Sequence, residues 1–194
     1  MKMRKLVVAT LGTLALAGCS TGPGVQVTRF HLNQPIATGQ ISVEPMMAAD
    51  HGSPEFQTYA NIVGSELARI GFTEAPGLAK SEQVAVIQVD RMFFDGPPRS
   101  SFSIGIGGGN YGWHGGAGGS VGTTFAGKPT QNVATRLIVQ IKRRSDGTTI
   151  WEGRAETHAR FGTPESQPAA AVQHLASAVF QGFPGVSGRT ISVK

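Results

Sequence analysis

The stretch ATRLIVQIKRRSDGTTIWEGRAETHAR, residues 134–160, decides the fold. In its first half Leu137, Val139 and Ile141 share one parity, while Arg136, Gln140 and Lys142 take the other. Strict alternation of this kind suits a strand with one face buried and one in water. Asp146-Gly147 then supplies a strong hairpin turn signal, because both residue types tolerate the backbone that tight turns require. Thr149 to Arg160 should return antiparallel, with Trp151, Ala155 and Ala159 on one face and Glu152, Arg154 and Glu156 on the other. A hairpin with one apolar face is incomplete, so the rest of the chain must cover it.

Working outward, Val84 to Val89 is a short apolar run that reads as a strand. Val25 to Phe30 and Gln40 to Glu44 alternate, and Pro45 ends the second of these. Between them and the hairpin lies the best-marked helix. Ser53 can cap it, Pro54 suits the first helical position and Glu55 complements the positive end of the dipole. Phe56, Tyr59, Ala60, Val63, Leu67 and Ile70 recur at helical spacing, and Gly71 can supply the left-handed stop. A second helix is expected from Thr163-Pro164-Glu165 to Gly182, lined by Val172, Leu175, Ala176 and Val179, with Pro168 near the start of its regular part. Arg189 to Lys194 can add an edge strand. The sum is an α+β fold of two layers, an antiparallel-rich sheet with two helices packed on one face.

The first residues belong to something else. Lys2, Arg4 and Lys5 precede an apolar run from Leu6 to Leu16, and Ala17, Gly18 and Cys19 follow. A basic start, a short apolar run and a small-residue cleavage site make an export signal. Gly22 and Pro23 come too soon for the roughly 20 apolar residues of a spanning helix. Leu16-Ala17-Gly18-Cys19 looks like a lipobox, in which a diacylglyceryl group is joined to the Cys19 sulfur through a thioether. Cys19 is the only cysteine, so no disulfide competes for it. Two or more acyl chains hold a protein firmly where one holds marginally. Ser20, rather than Asp, at the next position favours the outer membrane over the inner. The expected organisation is a signal peptide at 1–18, a lipidated tether at 19–24 and one domain at 25–194. Without Lys2, Arg4 and Lys5 the chain keeps 14 basic against 12 acidic side chains. Its basic character is therefore mild and gives no support to nucleic-acid binding.

Residues 96–127 hold 12 of the 27 glycines, together with Asn110, Tyr111, Trp113 and His114. A phosphate-cradling loop would need a lysine and a hydroxyl opening a helix. Here Pro129 follows Gly127-Lys128. Two readings remain, a loop between strands or an amphipathic hairpin. In the hairpin Phe102, Ile104 and Ile106 would oppose Val121, Thr123 and Phe125, forming an arm for a partner or a membrane. His31, His51, His114, His158 and His174 are scattered without metal-ligand spacing. Asp90 and Asp95 flank Met92-Phe93-Phe94 and read as turn residues rather than an acid/base pair. Gly-x-Ser-x-Gly spacing occurs at Gly18-Cys19-Ser20-Thr21-Gly22, in the expected export signal, and at Gly118-Gly119-Ser120-Val121-Gly122, in the glycine-rich tract, and neither lies where a strand is expected to turn into a helix. No residue is singled out as catalytic, cofactor-binding or metal-ligating, and Cys19 is the one assigned site.

The helix ending Glu66-Leu67-Ala68-Arg69-Ile70-Gly71-Phe72, the strand at Val84 to Val89, the glycine-rich tract and Gly147 to Gly153 around Trp151 form an order of elements. With the last helix ending at Phe183-Pro184, this order resembles the bacterial lipoprotein family of domain of unknown function 4136, over roughly residues 25 to 185. The resemblance implies a cell-envelope setting and a fold, and no activity. The expected function is that of a non-enzymatic envelope lipoprotein, without a cofactor, held at the periplasmic face of the outer membrane and binding or supporting another envelope component. The alternatives are an oligomeric assembly or secretion subunit that uses the glycine-rich hairpin, and an envelope hydrolase.

Overall fold

The computed structural model describes residues 24–75, 81–98, 102–106, 121–125 and 129–194. Among the described residues nine strands run in chain order as β1 (Val25–His31), β2 (Gln40–Pro45), β3 (Thr73–Glu74), β4 (Gln83–Pro98), β5 (Phe102–Ile106), β6 (Val121–Phe125), β7 (Pro129–Arg143), β8 (Thr149–Arg160) and β9 (Thr190–Val193). Two helices, α1 (Pro54–Arg69) and α2 (Pro168–Phe180), join them. Seven strands form one sheet in the order β3-β2-β4-β7-β8-β1-β9, and β5 pairs with β6 separately.

The alternating stretch forms the middle of the sheet. β7 and β8 are antiparallel, in register from Asn132↔Arg160 to Ile141↔Trp151. Their turn closes through Gly147 N donating to Arg143 O at 2.9 Å and Thr148 N donating to the Asp146 carboxylate at 3.0 Å. Gly147 takes φ +70°, a conformation that glycine adopts without steric cost. β4 lies antiparallel to β7, β1 antiparallel to β8, and β9 antiparallel to β1. β2 instead pairs parallel to both β3 and β4. Parallel neighbours need a long crossover, which α1 provides between β2 and β3.

Every second residue of the central strands points to the helices. Val133, Leu137, Val139, Ile141, Trp151 and Ala155 are buried, joined by Val25 and Val27 of β1, Ile41 of β2 and Ala85 and Ile87 of β4. Phe56, Tyr59, Val63 and Leu67 of α1 and Val172, Leu175, Ala176, Val179 and Phe180 of α2 complete one cluster. Burying each Val, Leu or Phe contributes about 1.5–3 kcal/mol, so this face holds the two layers together. Trp151 stacks on Phe180 with ring centroids 5.5 Å apart, and its indole N–H donates to Pro184 O at 3.0 Å. The two-layer α+β architecture with both helices on one face of an antiparallel-rich sheet is therefore the fold of this chain.

α1 starts and stops as its sequence dictates. Ser53 Oγ accepts from Phe56 N at 3.4 Å, and Gly71 follows the helix at φ +101°. α2 begins later than Thr163-Pro164-Glu165 suggests. Pro164–Ser166 forms a separate 3-10 turn, and the α-helix opens with Pro168 in its first turn. β4 is also longer than its apolar run, because pairing with β7 carries it past Val89 to Pro98. Asp90 and Asp95 consequently sit inside a strand rather than in a turn. Of the glycine-rich tract, residues 102–106 and 121–125 pair antiparallel, with Phe102↔Phe125, Ile104↔Thr123 and Ile106↔Val121. Residues 1–23, with the expected signal peptide and Cys19, lie outside the described residues, as does the segment 107–120 with His114. Among the described residues no helix is long and apolar enough to cross a membrane.

Candidate interaction surface

Cross-strand register fixes which features share an end of the sheet. Gln26 pairs with Glu156, Glu156 with Arg136 and Arg136 with Asp90. The chain upstream of Gln26 therefore leaves the sheet in the direction in which β4 runs on from Asp90 to Met92, Phe93 and Phe94. β8 ends on the same side, and Phe161 N donates to Gln131 O at 2.9 Å, extending its pairing with β7 by one step.

Four large apolar side chains are exposed at this end: Met92 at 66%, Phe93 at 52%, Phe94 at 42% and Phe161 at 54%. Successive strand residues point to opposite faces. Phe93, opposite Val133, therefore takes the helix-side face, whereas Met92 and Phe94 take the other. Phe93 meets Phe161 edge-on with centroids 5.6 Å apart, and Phe94 meets the His158 ring edge-on at 5.7 Å. The Arg91 guanidinium lies 5.7 Å from the Phe93 centroid and donates to Ser166 O at 2.7 Å. Its buried Nε has no hydrogen-bond partner among the described residues. Just beyond the aromatics Gly96 lets β7 come close, since a Cβ there would stand 2.4 Å from Asn132 Nδ2 and 2.9 Å from Thr130 O.

Elsewhere polar groups serve the fold. Arg29 is buried on the helix side of β1, where its guanidinium donates to the carbonyl oxygens of Ala178, Val179 and Gln181, each at 2.9 Å. These carbonyls end α2, so a cation there meets the negative end of the helix dipole. Burial lowers the Arg29 pKa from its ordinary value. On the opposite face the strands carry a row of ion pairs, Arg136–Glu156 at 2.7 Å and Arg154–Glu152 at 2.6 Å, which suits a face turned to water. Arg144 pairs with Glu44 and donates to Ser42 Oγ at 2.8 Å, tying β2 to the β7–β8 turn. The hydrogen bond from Arg144 holds the Glu44 carboxyl below the usual glutamate range.

A small hollow of about 100 Å³ lies between the start of α1 and β4, lined by Ser53, Glu55, Tyr59 and Gln88 among others. Tyr59 donates to the Glu55 carboxylate there at 2.5 Å. Burial, then that carboxylate, raises the phenol pKa well above its ordinary value. Asp90 and Asp95 differ in parity, so they project from opposite faces of β4, roughly 17 Å apart along the strand. They do not converge. His31, His51, His158 and His174 are also dispersed, and no group of three or more His, Cys, Asp or Glu among the described residues is placed to hold a metal.

Cys19, the one site assigned from sequence, is outside the described residues. The aromatic end is the surface that sequence reading passed over, although a signal for it exists. Three large apolar residues in succession cannot all face inward from a strand, so Met92-Phe93-Phe94 must expose at least one of them unless both faces are covered.

A family model described as domain of unknown function (DUF4136) matches residues 42–185. Over 88% of its length this chain is 32% identical to an uncharacterized protein of Zymomonas mobilis subsp. mobilis, 80% of which is covered. Among solved structures it is similar to a PDZ domain protein from Parabacteroides distasonis, with a TM-score of 0.49 and 12% identity over 88% of this chain. It spans only 39% of that protein. It is also similar to the PelC dodecamer subunit from Paraburkholderia phytofirmans, with a TM-score of 0.43 and 12% identity over 80% of this chain and 94% of that one. The matched span runs from β2 through α2 to the loop that holds the Trp151 indole, and the chain belongs to the family described as domain of unknown function DUF4136.

Proposed function

We propose that this chain is a non-enzymatic cell-envelope lipoprotein, anchored by lipid on Cys19 at the periplasmic face of the outer membrane, which binds or supports another envelope component. The observation that carries the reading is Leu16-Ala17-Gly18-Cys19, placed at the end of an apolar run that follows Lys2, Arg4 and Lys5. The position of β1 supports it. Gly24, the first described residue, follows Cys19 by five positions, so at about 3.3 Å per residue the domain stays within roughly 17 Å of the modified sulfur. A tether this short keeps the domain at the bilayer surface. Cys19→Ala is expected to abolish labelling by a clickable fatty acid and to release the protein from membranes. Labelling that persists in the variant would overturn the proposal.

A second reading, an oligomeric assembly or secretion subunit, is favoured by the antiparallel pairing of β5 with β6. Among the described residues β5 and β6 pair only with each other, and an unpaired strand edge is a template for another chain.

A further inference from the structure

We infer that the aromatic end of the sheet, Met92, Phe93, Phe94 and Phe161, is a membrane-docking surface that rests in the interfacial layer of the bilayer to which Cys19 is anchored. The inference rests on the lipid anchor proposed above and adds a second contact and an orientation. Three observations carry it.

The first is position. Gln26 is level with Asp90 across three strand pairings, so Gly24 is level with Met92. From there Phe94 lies about 7 Å further along the strands and about 14 Å sideways, at roughly 3.3 Å per residue and 4.8 Å per strand. The straight-line separation, about 16 Å, is within the roughly 17 Å that the five residues from Cys19 to Gly24 can span. Phe161 is nearer still, because β8 is the immediate neighbour of β1. A chain of this length can thus bring the anchor to this end of the sheet.

The second is shape. Phe93 and Phe161 lie on the helix-side face of the sheet, Met92 and Phe94 on the other. A protein partner usually meets one face of such an element. A patch that wraps around both faces suits a medium that surrounds it, and aromatic side chains favour the boundary between acyl chain and headgroup.

The third is the chain that follows. β4 leads from the patch to Pro98 and on to β5, and residues 102–125 contain no Asp, Glu, Lys or Arg. Arg99 and Lys128 flank that uncharged span, a distribution that suits anionic headgroups bordering an apolar layer.

The test uses the full lipidated chain. Cys19 is its only cysteine, and lipidation consumes that thiol, so an introduced cysteine is the single site for a fluorophore. Phe93→Cys, Phe161→Cys and, at the opposite end in the β7–β8 turn, Ser145→Cys are labelled and reconstituted in vesicles that contain brominated phospholipid. With Cys19 acylation verified by fatty-acid label, probes at 93 and 161 are expected to be quenched by bromolipid several-fold more than the probe at 145, and to resist iodide. Should Phe93→Cys disturb the tip, position 161 on the neighbouring strand carries the same expectation. If Cys19 is acylated but iodide reaches 93 and 161 as freely as 145, the docking is overturned and the anchor stands. Protection that arises only after envelope extract is added, or only as protein density rises, overturns it in favour of a protein partner or a second copy. Absence of label on Cys19 overturns the anchor and the docking with it.

Discussion

Gly153 shows how one missing side chain sets the distance between the two layers. It lies on the inner face of β8, between Trp151 and α2, where a Cβ would stand 2.4 Å from Trp151 Cη2 and 2.5 Å from Val179 Cγ2. Neither neighbour has room to retreat, because Trp151 is stacked on Phe180 and Val179 is fully buried. Gly153→Ala is therefore expected to cost about 1–3 kcal/mol through overpacking. The cost should read out as a lower denaturation midpoint at unchanged slope, and an unchanged midpoint would show that α2 is not seated on this glycine. Arg29 makes the complementary point. Its parity with Val25 and Val27 already turns it inward, but its partners, the last carbonyls of α2, lie some 150 positions away in the sequence. A buried cation without a carboxylate reads as a fault until the helix end it caps is in place.

Among the elements, those with local chemistry were legible and those set by pairing were not. α1 carries its own cap, first-turn proline, stripe and stop, so its limits follow from residues within it. The β7–β8 hairpin likewise follows from alternation and its turn. β4 runs past its apolar stretch although the residues beyond Val89 are polar, proline-bearing or apolar on both faces, because hydrogen bonding to β7 keeps them extended. In α2, Pro164 and Pro168 both suit a helix start, and choosing between them depends on where β8 delivers the chain. β5 and β6 form their own two-stranded sheet. Removing residues 102–125 is therefore expected to leave the denaturation midpoint nearly unchanged, within the roughly 0.5 kcal/mol typical of surface changes. If β5 and β6 dock a protein partner, the shortened chain should lose it in pull-downs from crosslinked envelopes. Recovery of the same partners would rule out that role for the arm.

At the scale of the whole molecule the two functional readings differ in mass. A monomeric or small oligomeric lipoprotein is expected in detergent if the domain binds or supports another component, and native mass spectrometry of the lipidated chain checks this. A large closed assembly would favour the subunit reading, with the edges of β5 and β6 as the first interface to test. By itself the sequence determined the strands and helices with strong local signals, the inward parity of β7 and β8, the apolar stripes of α1 and α2 and the two-layer class. It could do so because period-two alternation, helical spacing and caps act between near neighbours. Only the tertiary structure decided the strand order, the parallel placement of β2 and β3, the seating of Arg29 on α2 and the meeting of Phe93 with Phe161 at the end of the sheet where β1 begins. Those features depend on crossovers and cross-strand register, which bring together residues far apart in the chain and leave no mark in any local pattern.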